Sequence, residues 1–328
     1  MGSISCTASG SVTGEEIGCI TRRWLCLWDP SARRFRAHAL TDDRRACDAG
    51  WARAAASVAL VVGVATLRAM QAGTQLTLGD LACDREGADR VLEHRWRDVP
   101  IAMASPRGRF PASAFLIAPE LLVTSHHCIR AELDGHRPLS ELRFLFDVRW
   151  TGTRGALDGP LYEVHPGPAN PVLAVGTTGW DDHVVLRVRP VAGSRHAGPG
   201  IPVARALAAG ERVTAIGHPF GLPMCTAGVE LVENTSDPRV AYAHLDIFSG
   251  SSGAPVLRTS DQRVVGIVQS KPGWDFVASG HATLRLASYD AAMGEPARFV
   301  RMSAVGAGAW SDLRQPLLRP FSDRAEVG

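Results

Sequence analysis

Short apolar runs, separated by turns rich in glycine and proline, follow one another along this chain from residue 98 onward. Runs of that length, several of them with period-two alternation, predict β-strands rather than helices. The predicted strands are Ala114–Ile117, Leu121–Thr124, Leu142–Trp150, Leu161–Val164, Val172–Val175, His183–Val188, Arg212–Ile216, Val229–Val232, Val240–Leu245 and Val264–Gln269. Their spacing fits two antiparallel barrels packed together. The pattern therefore predicts an all-β core in a domain over residues 98–320.

Residues 1–97 have a different pattern. An apolar run extends from Ala54 to Leu67 between Arg53 and Arg68, and it is too short to span a membrane comfortably. Two interpretations stay open: a buried helix, or a weak internal anchor or secretion signal behind a misplaced start site. Residues 84–97 are charged and predict a helix or linker. We therefore expect residues 1–97 to form an extension of unknown role, helical or poorly ordered.

Composition excludes some classes of partner. The 328 residues carry a net charge of only +2, which gives no electrostatic reason to expect nucleic acid or an acidic membrane surface. The 33 glycines and 21 prolines fit a turn-rich β domain. No two of the seven cysteines have Cys-x-x-Cys spacing, so we expect no zinc site and no other metal or cofactor.

A candidate for chemistry is the stretch Gly250–Pro255, which reads Gly-Ser-Ser-Gly-Ala-Pro. Glycines on both sides let a serine expose its hydroxyl and let backbone N–H groups converge on one point. Acyl transfer needs such a nucleophile and such donors. A hairpin loop without chemistry has the same composition, so this stretch alone does not identify a site.

Two upstream stretches supply the remaining groups of a nucleophilic site. Leu121–Cys128 is an apolar strand that ends in two histidines, and Trp180–Val188 places two aspartates before an alternating strand. The chain order His, Asp, Ser is that of the chymotrypsin-type triad and differs from the orders in subtilisins and α/β-hydrolases. Ala254 also breaks the Gly-x-Ser-x-Gly pattern of the latter.

These three motifs resemble the trypsin/chymotrypsin-like serine peptidase superfamily, and within it the bacterial V8-like or trypsin-like branch. Ala215–Met224 and His244–Val256 are also similar to bacterial members, and the resemblance covers residues 98–305. It implies two packed antiparallel six-stranded β-barrels. It further implies a serine endopeptidase that hydrolyses protein or peptide substrates through an acyl-enzyme, without a cofactor.

The resemblance also assigns roles to residues. The matching positions are His127 as base, Asp182 as orienting acid and Ser252 as nucleophile. Their neighbours His126, Asp181 and Ser251 are the alternatives. The implied oxyanion hole consists of the backbone N–H groups of Gly250 and Ser252.

The residue at the base of the S1 pocket would be Asp246, six positions before Ser252. By resemblance, this carboxylate implies a preference for Arg or Lys at P1. The opposite wall would contain Gln269 and Lys271, without the histidine of Glu-specific V8 relatives. Two alternatives stay open: Lys271 could neutralise Asp246, or Asp246 could only brace the loop.

Two departures from animal trypsins change what we expect. Ser251 replaces the aspartate that binds a new N-terminal ammonium after zymogen cleavage, so that activation mechanism is not expected. The strand Ser113–Ile117 lacks the cysteine that pairs with the Cys128 position, which favours a free thiol and a cytoplasmic location. A misplaced start site would instead allow secretion.

Two other functions fit the same residues. One is a catalytically silent trypsin-fold module that binds a partner. The other is an effector protease whose activity a regulatory partner controls through residues 1–97.

Overall fold

The computed structural model of this chain describes a large part of it. The described residues are 28–29, 34–35, 49–72, 76–86, 91–92, 97, 101, 111–151, 156–167, 170–176, 180–221, 225–226, 230–233, 235–245, 247–270, 275–278, 282–286 and 296–305.

Strands dominate the described part of the chain, and its helices are short. The strands are β1 (Trp28–Asp29), β2 (Arg34–Phe35), β3 (Val58–Gly63), β4 (Val91–Leu92), β5 (Ala112–Ala118), β6 (Leu121–Thr124), β7 (Leu142–Phe146), β8 (Arg149–Thr151), β9 (Ala156–Asp158), β10 (Leu161–Val164), β11 (Val172–Gly176), β12 (His183–Pro190), β13 (Arg212–Gly217), β14 (Cys225–Thr226), β15 (Glu230–Leu231), β16 (Val240–Ala243), β17 (Pro255–Arg258), β18 (Val264–Ser270), β19 (Phe276–Ala278), β20 (Thr283–Leu286) and β21 (Ala297–Arg301). The α-helices are α1 (Ala49–Ala56), α2 (Val64–Gln71), α3 (Leu78–Glu86) and α4 (Arg130–Leu133). Among the described residues, no helix is long and apolar enough to cross a membrane.

Six strands close into a barrel in the order β10-β7-β3-β5-β6-β12. β12 closes it, because its first half pairs with β6 and its last three residues pair with β10. β11 adds to the free side of β12. Side chains from all six strands form one buried apolar cluster, which is the interior of the barrel.

The strand β3 corrects both interpretations of the apolar run at residues 54–67. Val58–Gly63 pairs antiparallel with β5 on one side and β7 on the other. Its residues alternate between two apolar environments: Val61 packs with Phe144 inside the barrel, and Leu60 belongs to the cluster of Met70 outside it. Because both faces are buried, the run shows no polar alternation that would predict a strand. The barrel therefore takes one strand from the segment predicted to lie outside the domain.

The second sheet has the order β14-β13-β17-β18-β21-β16, and β15 also pairs with β13. Over the described residues its two ends do not pair, so it forms a half-barrel where the resemblance implied a closed barrel. The predicted all-β, chymotrypsin-like core is confirmed. A third buried cluster, which includes Phe115, Val185, Ile216 and Leu257, joins the two sheets.

Three smaller sheets complete the described strands. β19, β20 and β4 form one of them, in which β4 runs parallel to β20. The pairs β1–β2 and β8–β9 form the other two. Through β4, a segment from the first hundred residues is therefore joined to a strand near the C-terminal end of the described chain.

Candidate active site

The predicted base and acid are brought together by one pair of strands. β6 and β12 run antiparallel, and Thr124 at the end of β6 lies opposite Val184 near the start of β12. The residues just after Thr124 must therefore lie beside the residues just before Val184. A short 3₁₀ turn, His126–Ile129, follows β6 after one residue, Ser125. The register thus determines which histidine can meet which aspartate.

Asp182 contacts His127 through both of its oxygens. Its Oδ2 lies 2.6 Å from His127 Nδ1, and its Oδ1 accepts the backbone N–H of His127 at 2.9 Å. The carboxylate is buried, whereas the His127 side chain is 47% exposed. The backbone carbonyl of the neighbouring Asp181 accepts instead from the N–H of His183, at 2.6 Å. The geometry therefore pairs His127 with Asp182.

This contact shifts the pKa of both groups in opposite directions. Burial by itself would lower the pKa of His127, but the hydrogen bonds to Asp182 and to the Cys128 thiol outweigh it and raise that pKa above its ordinary value. Burial by itself would raise the pKa of Asp182, but the hydrogen bonds from His127 outweigh it and lower that pKa. Asp182 is consequently ionised at neutral pH and stabilises the imidazolium.

The serine loop presents two adjacent serines differently. Ser251 is buried, and its Oγ accepts the N–H of Phe248 at 3.3 Å. Ser252 is only partly buried, and its Oγ lies 3.4 Å from the carbonyl oxygen of Gln269. Ser252 is therefore the serine that faces outward from the loop.

No hydrogen bond joins Ser252 Oγ to His127 Nε2 in the described contacts of these two residues. His127 Nε2 lies instead 3.6 Å from Cys128 Sγ. In structures without substrate such catalytic contacts are often long and tighten only in the complex.

The backbone N–H groups of the serine loop fall into two sets. Those of Ser249, Ser251, Gly253 and Ala254 each donate to an acceptor: Asp275 Oδ1 and the carbonyls of Phe248, Val268 and Ser251, respectively. Among the described residues, no acceptor is found for the N–H groups of Gly250 and Ser252. These two are the donors that the resemblance assigns to an oxyanion hole.

The loop can follow this path because two of its residues are glycines with left-handed φ, +98° at Gly250 and +84° at Gly253. Both are also crowded. A Cβ on Gly250 would lie 2.7 Å from the Phe220 nitrogen, and one on Gly253 would overlap the Ser113 carbonyl oxygen. Neither position accepts a side chain without movement of the surrounding backbone.

The residues predicted for the S1 pocket are only partly described. Gln269 is buried and faces the serine loop through its carbonyl. Asp246 and Lys271 lie outside the described residues. Within the described part of the chain, no three His, Cys, Asp or Glu side chains are grouped so that they could hold a metal ion.

Two residues that contact the serine loop were missed by the sequence analysis. Ser113 lies on β5, and its Oγ donates to the carbonyl of Gly250 at 2.8 Å. The buried carboxylate of Asp275 accepts the N–H and the hydroxyl of Ser249, at 2.9 and 2.5 Å. A polar residue at a buried strand position was the available signal for Ser113, whereas nothing local to Asp275 indicates its partner.

Comparisons with known proteins agree with the motifs. A family model described as a trypsin-like peptidase domain matches residues 112–267. That range contains all three motifs. No curated protein matches the chain.

Three similar solved structures have low sequence identity to this chain. The inactive form of a mutant of Rv3671c from M. tuberculosis H37Rv is 14% identical, with 82% of this chain and 93% of that chain covered and a TM-score of 0.41. A serine endoprotease from Yersinia pestis is 16% identical, with 67% and 56% covered and a TM-score of 0.39. Deg5 is 15% identical, with 70% and 86% covered and a TM-score of 0.40.

The family match covers the serine loop and both strands that carry the His–Asp pair, and the described core has the chymotrypsin-like arrangement. Over residues 112–267, this chain is therefore similar to the trypsin-like peptidase domain, within an all-β core of the chymotrypsin-like fold.

Proposed function

We propose that this protein is a serine endopeptidase that hydrolyses peptide bonds through an acyl-enzyme, with His127, Asp182 and Ser252 as its triad. The observation that carries the proposal is the 2.6 Å contact between His127 Nδ1 and Asp182 Oδ2. This contact leaves Nε2 as the nitrogen available to a nucleophile. The outward-facing Ser252 and the two N–H groups without a described acceptor support the same interpretation.

In the proposed mechanism, Ser252 Oγ attacks the carbonyl carbon of the scissile bond while His127 Nε2 takes its proton. Asp182 stabilises the imidazolium that results. The oxygen of the tetrahedral intermediate accepts the N–H groups of Gly250 and Ser252. His127 then protonates the leaving amine, and a water molecule hydrolyses the acyl-enzyme by the reverse steps. For this, His127 Nε2 must exchange its contact with Cys128 for one with Ser252.

A preference for Arg or Lys at P1 belongs to this proposal and rests on Asp246 in the sequence alone. Cleavage of a peptide library by the purified protein tests it. Enrichment of Arg and Lys at P1 is expected, and a profile dominated by apolar P1 residues would contradict it.

Labelling of the purified full-length chain with a fluorophosphonate tests the proposed nucleophile, with the adduct mapped by peptide mass. We expect an adduct on Ser252 that is absent in Ser252→Ala and strongly slowed in His127→Ala, because the hydroxyl needs its base. In Ser251→Ala, the matched serine change one position away, the adduct should still map to Ser252.

Two outcomes would refute the proposal. An adduct on Ser251 would move the nucleophile. No adduct on a chain shown by its cooperative unfolding to be folded would favour the silent binding module instead.

A further inference from the structure

The position before the nucleophile raises a question about the oxyanion hole. The hydrogen bonds described for Ser251 stay within residues 248–254, so they do not connect the loop to the closed barrel. We infer that the hydroxyl of Ser113 supplies such a connection and is a positioning residue for the oxyanion hole. The inference rests on the proposed function and adds a residue to it.

Ser113 connects the closed barrel to the serine loop at two points and to the turn at His218 at a third. It lies on β5 and is completely buried. Its Oγ donates to the carbonyl of Gly250 at 2.8 Å and accepts the N–H of His218 at 2.9 Å. Its backbone N–H donates to the carbonyl of Ser252 at 2.9 Å. One residue of the first barrel therefore contacts both halves of the loop that carries the oxyanion donors.

The orientation of the Gly250 N–H is determined by the carbonyl on the same peptide plane. In a trans peptide the C=O and N–H groups point in opposite directions. The carbonyl of Ser249 accepts the N–H of Phe220 at 2.6 Å, so the Gly250 N–H points away from Phe220. The carbonyl of Ser251 is likewise held, by the N–H of Ala254 at 3.0 Å, which orients the Ser252 N–H.

Phe220 can act in this way only if its turn stays in place. Phe220 has a left-handed φ of +55°, which is unfavourable for a residue other than glycine. Its buried ring packs 5.6 Å from that of Phe248, and the N–H of Gly221 donates to the carbonyl of His218 at 3.0 Å. The His218–Gly221 turn is thus held by packing at Phe220 and by the Ser113 hydroxyl at His218.

The Ser113 hydroxyl is the group shared by the turn and the loop. Through His218 it fixes the turn that orients the Gly250 N–H, and through the Gly250 carbonyl it fixes the next peptide of the loop. Without it, the carbonyl of Gly250 and the N–H of His218 would each lose the hydrogen bond to Ser113, which costs free energy unless the backbone moves. The expected movement reorients the peptides that carry the oxyanion donors, so the transition state loses more stabilisation than the bound substrate does.

The test compares Ser113→Ala with Ser57→Ala. Ser57 is a matched control, because it is also a completely buried serine, directly before strand β3 of the first barrel, and its Oγ accepts one backbone N–H, that of Gly200, at 3.2 Å. Fluorophosphonate titration gives the number of reactive sites, and the time course gives the rate constant per reactive site. Since loss of one oxyanion donor costs about 10²–10³ in rate, we expect Ser113→Ala to react at least about tenfold more slowly per site than Ser57→Ala.

A residue that merely stabilises the fold would change the number of reactive sites and leave the rate constant per site unchanged. The inference would be overturned if Ser113→Ala had fewer reactive sites but an unchanged rate constant per site. It would also be overturned if Ser113→Ala and Ser57→Ala had equal rate constants per site. If Ser113→Ala does not fold, Ser113→Cys keeps a side chain of similar shape with a weaker donor, and its rate constant should also fall. A wild-type rate constant in Ser113→Cys would again overturn the inference.

Failure of the proposed function gives a different result. If neither the wild-type chain nor Ser57→Ala forms an adduct on Ser252, the proposed peptidase function is wrong. If the wild-type chain and Ser57→Ala form the adduct with the same rate constant per site as Ser113→Ala, only the role of Ser113 is wrong.

Discussion

The carboxylate of Asp182 contacts His127 at two points and, together with the Cys128 thiol, raises the pKa of its imidazole. Asp182 accepts from the backbone N–H of His127 and contacts its Nδ1, so the position of the residue and the orientation of its ring are set together. The buried carboxylate keeps its charge because of the same two contacts. The raised pKa of His127 then makes the imidazole a better proton acceptor, at the cost of being protonated over a wider range of pH.

This leads to a prediction about the pH dependence of labelling. The base must be neutral to take the proton of Ser252, so the labelling rate should rise with pH through the pKa of His127. Because that pKa is raised, the midpoint should lie above 6.5. In Asp182→Asn the imidazolium loses its stabilising charge, so the midpoint should move down and the plateau should fall by about 10⁴.

Asp181→Asn is the matched control for this measurement, since it changes the adjacent carboxylate and should leave the midpoint within a few tenths of a pH unit of wild type. A wild-type midpoint at or below 6.5, or the same midpoint in Asp182→Asn, would contradict the assignment.

At this scale the sequence is informative where the chemistry is local. The motifs distinguish His127 and Asp182 from their neighbours, and the register of β6 and β12 brings those same residues together. Ser113 has no motif of its own, because its partners Gly250 and His218 lie more than a hundred positions away along the chain. Contacts of that kind depend on how two sheets pack, which alternation along one strand does not describe.

At the scale of elements, the serine loop is shaped by glycines that have two separate functions. One is a left-handed φ, and the other is room for a neighbouring backbone. Gly253 requires both, since its φ is +84° and a Cβ there would overlap the Ser113 carbonyl oxygen and Thr124 Oγ1. Gly210, which lies in the turn before β13 and not in the serine loop, requires only the left-handed φ. Its φ is +80°, and nothing lies within 4 Å of the position that a Cβ would take there.

These two glycines allow the two effects to be measured separately. Gly210→Ala should lower the free energy of unfolding by about 1–2 kcal/mol, the cost of a left-handed residue with a side chain. Gly253→Ala should lower the free energy of unfolding by about 1–3 kcal/mol more than Gly210→Ala does, because the methyl group forces the loop away from β5. Denaturant unfolding of both variants measures the difference. Equal losses of unfolding free energy in the two variants would mean that the serine loop moves away from β5 without cost, which would contradict its close packing against Ser113 and Thr124.

Alternation predicted most strands of the two sheets but missed β3, β14, β17 and β21. The predicted strand Leu142–Trp150 is divided in the structure into β7 and β8, with a positive φ of +46° at Asp147 between them. β3 was missed for a different reason. Helices α2 and α3 cover its outer face, so it carries apolar residues on both sides and lacks the period of two on which the prediction depends.

At the scale of the whole molecule, several described residues between 54 and 92 are part of the core. Leu60, Met70 and Leu78 share a buried cluster with Phe220 and Phe248, the two rings beside the serine loop. The segment therefore lies behind the candidate site as packed structure. The prediction that the barrel lies wholly outside residues 1–97 is wrong for Val58–Gly63, whereas a role of the segment in regulation stays a prediction.

A truncation tests this organisation. A chain that begins at residue 98 lacks β3, so the edges of β5 and β7 lose their partner and the barrel cannot close. We expect it to show no cooperative thermal unfolding and no fluorophosphonate adduct. A chain that begins at residue 46 keeps β3 and the helices that cover it, and should unfold cooperatively. Cooperative unfolding of the shorter chain would show that β3 is dispensable.

The position of β3 also has a consequence for the order of events during synthesis. β3 leaves the ribosome first among the six barrel strands, yet its partners β5 and β7 and the closing strand β12 come much later in the chain. A strand that is apolar on both faces must therefore wait for its second partner until residue 146 has been made, and the barrel cannot close until residue 190 has been made. Because loop closure comes before the contacts that reward it, we expect slow folding and a need for protection against aggregation at this stage.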